Sequence, residues 1–138
     1  MSKIKIQQVA IKGLLCRNEK VLFLKTPTQR WELPGGRVDF GESIEETLQR
    51  EMKEEVGFEN FRTGDLINTW SFVNEEINHH FLIFDFEIFT DKAIIRLSDE
   101  HTEYRWVGIE DFEEMDMREG HKESLRKYFK LSKYEIQK

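Results

Sequence analysis

Six glutamates fall within the fourteen residues from Glu42 to Glu55, at positions 42, 45, 46, 51, 54 and 55. Ser43 and Glu46 stand in capping-box spacing and Gly57 follows the last periodic residue, so the stretch reads as one helix. On a wheel turning about 100° per residue, with Ile44 at zero, Leu48, Met52 and Val56 fall at about 40°, 80° and 120°. Glu51 and Glu55 fall at about −20° and +20°, and Glu54 at about −80°. Three carboxylates therefore share the sector beside the apolar stripe. Like charges three and four residues apart repel by a few tenths of a kcal/mol per pair, and anions near a helix C-terminus oppose its dipole. Helix stability alone would place bases there. Hard divalent cations, by contrast, require several oxygens converging within about 2.0–2.6 Å, and three glutamates on adjoining turns offer them. A solvated acidic helix, with Lys53 and Arg50 as partial partners, is the alternative that composition by itself leaves open.

The elements that must position these carboxylates can be read on both sides of the helix. Val9–Cys16 and Val21–Lys25 read as two strands joined across Arg17-Asn18-Glu19-Lys20. Thr26–Arg30 reads as a loop, Leu33-Pro34-Gly35-Gly36 is the strongest break in the chain, and Phe40-Gly41-Glu42 is a second. After the helix come strands over Asn68–Val73, His80–Phe89 and Tyr104–Val107, with Leu82, Phe84, Phe86 and Ile88 on one face of the second. A short helix near Glu110–Met115 and a closing one near His121–Leu131 complete the pattern. Strands and helices intermix, so an α/β fold with a sheet covered by helices is expected. No linker, repeat or low-complexity stretch divides the 138 residues, which are expected to form a single domain over 1–138.

Composition narrows the field. Hydrophobic residues make up 38% and aromatics 12%, enough for a core and against disorder over the whole length. With 27 acids against 21 bases the formal charge is −6, so no general basic surface for nucleic acid is expected. Cys16 is the single cysteine, which excludes an internal disulfide and a cysteine-rich zinc site. No apolar run approaches a membrane span, and Met1–Gln8 alternates charge with apolar groups without a signal-peptide core. A cytoplasmic protein with no membrane partner is the expectation.

Residues 36–58 resemble the Nudix box of the Nudix (MutT-type) hydrolases: a Gly, five residues, Glu, seven residues, then Arg-Glu-apolar-any-Glu-Glu-any-Gly-apolar. Gly36, Glu42, Arg50, Glu51, Met52, Glu54, Glu55, Gly57 and Phe58 match every fixed position. A chance match is on the order of 10⁻⁹ per window at average residue usage. Trp31-Glu32-Leu33-Pro34-Gly35-Gly36 is similar to the family's lead-in, and the strand order on both sides fits its α/β/α sandwich with a mixed β-sheet.

The resemblance implies cleavage of a nucleoside diphosphate linked to another group, by water attack at phosphorus with Mg²⁺, or Mn²⁺, assisting. Glu51, Glu54 and Glu55 match the family's metal-binding glutamates, and the carbonyl of Gly35 resembles a further ligand. Arg50 resembles the partner that orients a ligand carboxylate, and Glu42 its outer support. The general base varies within the family, so Glu54, Glu55 and Glu100 are all catalytic candidates, with Glu103 competing for the last role. Positive charge for the phosphates is sought in Lys25, Arg30 and Arg37, and stacking surfaces for a base in Trp70, Phe72 and Trp31. His79-His80 lacks metal-ligand spacing and reads as surface or edge-strand; His101 and His121 receive no role.

The expected partner is a small nucleotide. A (deoxy)nucleoside triphosphate, released as monophosphate plus pyrophosphate, comes first; ADP-ribose or a nucleotide sugar comes second. RNA decapping and a non-catalytic nucleotide-binding module are the other classes, and a homodimer stays open. Specificity is expected to reside in Thr26–Arg30, Phe61–Glu76 and the region after Lys92.

Overall fold

In the computed structural model the described residues are 4–91 and 94–136, with side chains described as far as residue 130. The opening of the N-terminal alternation and the beginning of the region after Lys92 lie outside them. The first strand, β1 (Ile6–Arg17), is long enough to serve two partners. Its first ten residues run parallel to β6 (His79–Phe89), while Ala10–Lys12 also pair antiparallel with β4 (Gly35–Arg37). At its far end β1 turns into β2 (Lys20–Lys25) through Asn18 and Glu19, whose φ of 50° and 66° match a type I′ hairpin. Strand β2 carries β3 (Trp31–Glu32) and β7 (Tyr104–Val107), and β6 carries β5 (Arg62–Asn74). The seven strands form one mixed sheet in the order β3-β2-β1-β6-β5, with β4 and β7 attached off that path.

Two helices cover it. Helix α1 (Ile44–Val56) opens with both halves of the Ser43/Glu46 capping box and ends at Gly57, whose N–H returns to the Met52 carbonyl at 3.0 Å. Its Leu48, Met52 and Val56 pack on Ile11, Leu15, Leu22 and Ile88. Helix α2 (Glu119–Ile136) packs Leu125 and Tyr128 on the other side against Leu14, Val21, Phe23 and Val107. Burying about ten apolar side chains in each layer is what makes the sandwich stable, at roughly 1.5–3 kcal/mol per fully buried large side chain. No helix among the described residues is long and apolar enough to cross a membrane.

Several expectations change. Periodicity puts Ile44 on the apolar stripe of α1 with Leu48, Met52 and Val56, yet it is 42% exposed. It is the first helical residue, and Thr47 takes the inward position in that turn. Strand β5 starts six residues before Asn68, because register shifts between Thr63 and Asn68 break the alternation that marks a strand. The Leu33–Gly36 break carries a short strand on either side, and the helix near Glu110–Met115 is a single 3₁₀ turn, Phe112–Glu114. His79 and His80 open β6, an interior strand paired on both sides, and are half-buried there.

Candidate active site

The acidic face of α1 is organised by one guanidinium. Arg50 donates from Nε and Nη2 to the two oxygens of Glu42 (2.8 and 3.0 Å), and from Nη1 to Glu51 Oε1 (2.8 Å). Its Nη2 also reaches the Arg37 carbonyl at 2.9 Å, tying the helix to the Gly-rich turn. Glu42 further accepts from the Asp39 N–H and the Thr47 hydroxyl (2.9 and 3.0 Å). Led by the Arg50 bonds, these donors hold its carboxyl at about 2, so the pair is fixed and charged. Glu51 responds oppositely: burial raises its pKa despite Arg50. Gly36 lies against that carboxylate, and a Cβ there would collide with Glu51. Glu54 is mostly exposed, 3.6 Å from Arg50.

Glu55 is the most confined of the three. It is 6% exposed, accepts the Gly35 N–H at 2.6 Å, and faces His101 Nε2 across 3.6 Å. Burial drives its pKa up to about 7, partly offset by Lys12, that N–H and His101. Lys12 is itself buried; burial lowers its pKa, but Glu32, Glu55, Asp85 and Glu51 outweigh this and leave it raised. Glu32 stands 3.8 Å from Lys12 and 3.3 Å from His101 Nε2, and is held at about 2 because Lys12 and His101 outweigh its burial. Donor atoms of Glu32, Glu55 and His101 lie within 4.8 Å of one another.

These residues fit a hard divalent cation. The Gly36 backbone leaves room beside Glu51 that any side chain would fill, and burial raises the pKa of both the half-buried Glu51 and the buried Glu55 despite their basic neighbours. The resemblance to the Nudix box implies Glu51, Glu54, Glu55 and the Gly35 carbonyl as the oxygens to hold it.

The acidic face forms one end of a cavity of about 580 Å³. Its floor is aromatic: ring centroids of Trp70 and Phe72 lie 5.6 Å apart, and those of Phe72 and Phe81 5.1 Å apart. Arg37 sits over Phe81 at 5.2 Å and Arg118 over Phe72 at 3.8 Å. Trp70 lines the cavity but is not free on every side, because a Cβ on Gly120 would collide with the indole. Its Nε1–H donates to Asp85 at 2.9 Å, and the Ser124 hydroxyl donates to the same carboxylate oxygen. Asp85 is fully buried, and burial raises its pKa to about 6 against both bonds.

Of the sequence candidates, Gly35, Glu51, Glu55, Arg37, Trp70, Phe72 and Glu100 line this cavity. Arg50 and Glu54, also on α1, are not among its lining residues. Lys25 does not line it: it pairs with Glu103 at 3.0 Å and lies over Trp31, which also ties Glu103 down. Arg30 pairs with Asp116 at 3.1 Å and, with Trp31, borders a smaller recess next door. Sequence reasoning missed Lys12, Glu32, Asp85, His101, Arg118 and His121. A signal existed for two of them, since Lys12 and Asp85 each interrupt an otherwise apolar strand.

A family model, the NUDIX domain, matches residues 7–128. A nucleoside triphosphatase of Escherichia coli, NudI, is 33% identical over 109 residues, spanning 70% of this chain and 74% of its own. Among solved structures, a MutT protein from Methanosarcina mazei Go1 is 25% identical, with a TM-score of 0.83 over 96% of this chain and 99% of that one. An ADP-ribose pyrophosphatase from Streptococcus suis shares the fold at 14% identity, with a TM-score of 0.61 over 86% of this chain and 90% of that one.

Proposed function

Because the chain belongs to the NUDIX family, whose members are hydrolases of phosphoanhydride bonds, we propose that it cleaves nucleoside triphosphates to monophosphate and pyrophosphate with Mg²⁺, or Mn²⁺, as cofactor. The observation that carries this reading is the pairing of two environments in one cavity. The carboxylates of half-buried Glu51 and buried Glu55 line it together with the aromatic rings of Phe72 and Phe81. A nucleotide meets both requirements, and the Escherichia coli relative is a nucleoside triphosphatase by name. Trp70 frames the floor rather than offering a free face.

Each residue then has a task. Arg50 fixes the Glu51 carboxylate, and Glu42 fixes Arg50, so the ligand oxygens are oriented before substrate arrives. Gly36 leaves the approach open. Arg37 adds a cation beside the phosphates. In this reading Glu55, whose Oε2 faces His101 Nε2, takes the proton of the attacking water, and Glu100, which also lines the cavity, is the alternative base. The metal, when bound, supplies charge neutralisation of the phosphates and acidification of a coordinated water.

Turnover of a panel of nucleoside triphosphates, oxidised triphosphates, ADP-ribose, nucleotide sugars and a capped oligonucleotide, with products identified, tests this directly. Triphosphates are expected to yield monophosphate and pyrophosphate with Mg²⁺ and nothing with EDTA, and Glu55→Gln to abolish the reaction. Undiminished turnover by that purified variant overturns the mechanism. ADP-ribose cleavage without triphosphate cleavage moves the substrate to the second class, and binding without products makes the domain a sensor. A cytoplasmic location and a homodimer belong to the same reading, the latter checked by sedimentation.

A further inference from the structure

Beside the main cavity a recess of about 130 Å³ opens between the Thr26–Arg30 loop and the start of α2. Thr26, Thr28 and Arg30 line one side, and Glu32, Arg118 and His121 are shared with the main cavity. In a chain of formal charge −6, the local balance is inverted here. Lys12, Arg30 and Arg118 all act on His121, opposed by Glu32, whose own oxygens face Lys12 and His101.

Arg118 stands out. Arg30, Arg50, Arg105 and Arg126 each have a carboxylate within 4.0 Å. Arg118 is among the arginines with none at that distance from a described residue, and unlike the others of that group it lines both the recess and the main cavity. Its guanidinium is half-buried, lies over Phe72 at 3.8 Å and faces the like charge of Arg30, which together with burial outweighs the attraction of Glu32. Arg30 spends its Nε on Asp116, and no described contact uses its terminal nitrogens. His121 is 3% exposed, wedged between the rings of Phe23 and Trp70, and its Nδ1 has no hydrogen-bond partner. The Thr26 and Thr28 hydroxyls, 2.9 Å apart, complete the wall. Two guanidiniums held near each other, partly out of water and beside an unsatisfied imidazole, form an unfavourable arrangement that an anion would relieve. The dipole of α2, which begins at Glu119, has the same sign.

We propose that this recess is a second oxyanion site, independent of metal, which binds a phosphate group through Arg118 and Arg30. Phosphate is the anion to expect because hydrolysis of phosphoanhydrides releases phosphate-bearing products and consumes phosphate-bearing substrates. The group is either free phosphate or a phosphoryl at the far end of a two-ended substrate. The acidic face of α1 needs a cation before it can accept phosphate; this end does not. The assignment rests on the family's reaction class, not on which nucleotide is cleaved.

Titration of the full chain with orthophosphate in EDTA at low salt, followed by calorimetry and by arginine side-chain NMR, tests the site. Saturable binding in the millimolar range is expected, with shifts at Arg118 and Arg30 and weakening as salt rises. Arg118→Gln should weaken it roughly tenfold or more, the loss that accompanies removal of a charge-assisted hydrogen bond. Arg118→Lys should recover part of it, and Glu51→Gln should leave it unchanged. Thermal melts of each variant exclude unfolding as the cause. Absence of saturation, equal binding by Arg118→Gln, or loss of binding in Glu51→Gln overturns the proposal. Two kinetic arms identify the source. Phosphate inhibition that disappears in Arg118→Gln assigns free phosphate, and a raised KM at constant kcat confined to dinucleoside polyphosphates assigns a substrate phosphoryl. Retained phosphate binding in a protein that cleaves no triphosphate would leave this site standing while the substrate assignment fell.

Discussion

Replacing Glu55 by Gln separates what this carboxylate does for chemistry from what it does to the fold. Glu55 is 6% exposed, and burial carries its pKa from 4.5 to about 7. A rise of that size corresponds to about 3 kcal/mol. The sign follows from proton counting. Between pH 4.5 and 7 the folded chain holds a proton at Glu55 that the unfolded chain has released, so stability falls as pH rises through that window and stays lowered above it. Gln carries no charge at any pH and its amide oxygen can still accept the Gly35 N–H. Lys12 loses one counter-charge but keeps Glu32 at 3.8 Å. Glu55→Gln in EDTA should therefore be more stable than wild type by about 1–3 kcal/mol at pH 8, a gain of several degrees in Tm, and no more stable at pH 4.5. Saturating Mg²⁺ should narrow the gap by stabilising the wild type alone. Urea melts of both proteins at pH 4.5, 6 and 8, with and without Mg²⁺, read this out beside a hydrolysis assay. A variant less stable than wild type at pH 8 in EDTA, or a difference that does not change with pH, would refute the reasoning.

Other perturbations test separate parts of the site. Gly36→Ala should displace the Glu51 carboxylate and weaken Mg²⁺ binding tenfold or more by calorimetry, with both glutamates still present. Gly120→Ala sets two effects against each other: alanine favours the helix by about 1 kcal/mol, whereas overpacking against Trp70 costs about 1–3 kcal/mol. The collision should win, giving a lower urea midpoint; a higher one would show that the indole moves aside freely. Asp85→Asn should remove a stability loss of about 3 kcal/mol that accompanies the rise of this pKa from 3.8 to about 6. A pH series of unfolding measurements should show the wild-type decline between pH 4 and 6 flattened in the variant.

What could be read from the sequence was local. The capping box, the stripe of Leu48, Met52 and Val56 and the sector of Glu51 and Glu55 all follow from a 3.6-residue period, and the structure keeps them. Ile44 departs because periodicity says which face a residue is on, not whether the sheet extends beneath it. Strand β5 departs where its register shifts, since an extra residue reverses alternation. The residues that were missed need pairings between distant segments. Lys12 meets Asp85 through the parallel register of β1 and β6, His101 reaches Glu55 and Glu32 from a loop far along the chain, and Arg118 reaches Phe72 from the start of α2. Nothing in the neighbourhood of His101 or His121 in sequence announces those contacts.

The overall charge of −6 hides an internal separation of sign. At the α1 end, Glu51 and Glu55 are pushed toward the protonated form by burial, so without a cation that end is short of positive charge. At the α2 end, Arg118 is depressed by burial and by Arg30 beyond what Glu32 restores, so that end is short of negative charge. Direct contact between the two deficits would have cancelled them in the folded protein. Lys12 on β1 and Glu32 on β3, 3.8 Å from each other, pair instead with one another. Because buried pairs of this kind return little net stability, their value here is in leaving the outer charges unneutralised. A cation at one end and the phosphates of a ligand supply what each deficit lacks. The same groups that make the unliganded cavity costly are thus those a metal-bound polyphosphate would satisfy, and a chain selected for stability alone would have paired them with each other.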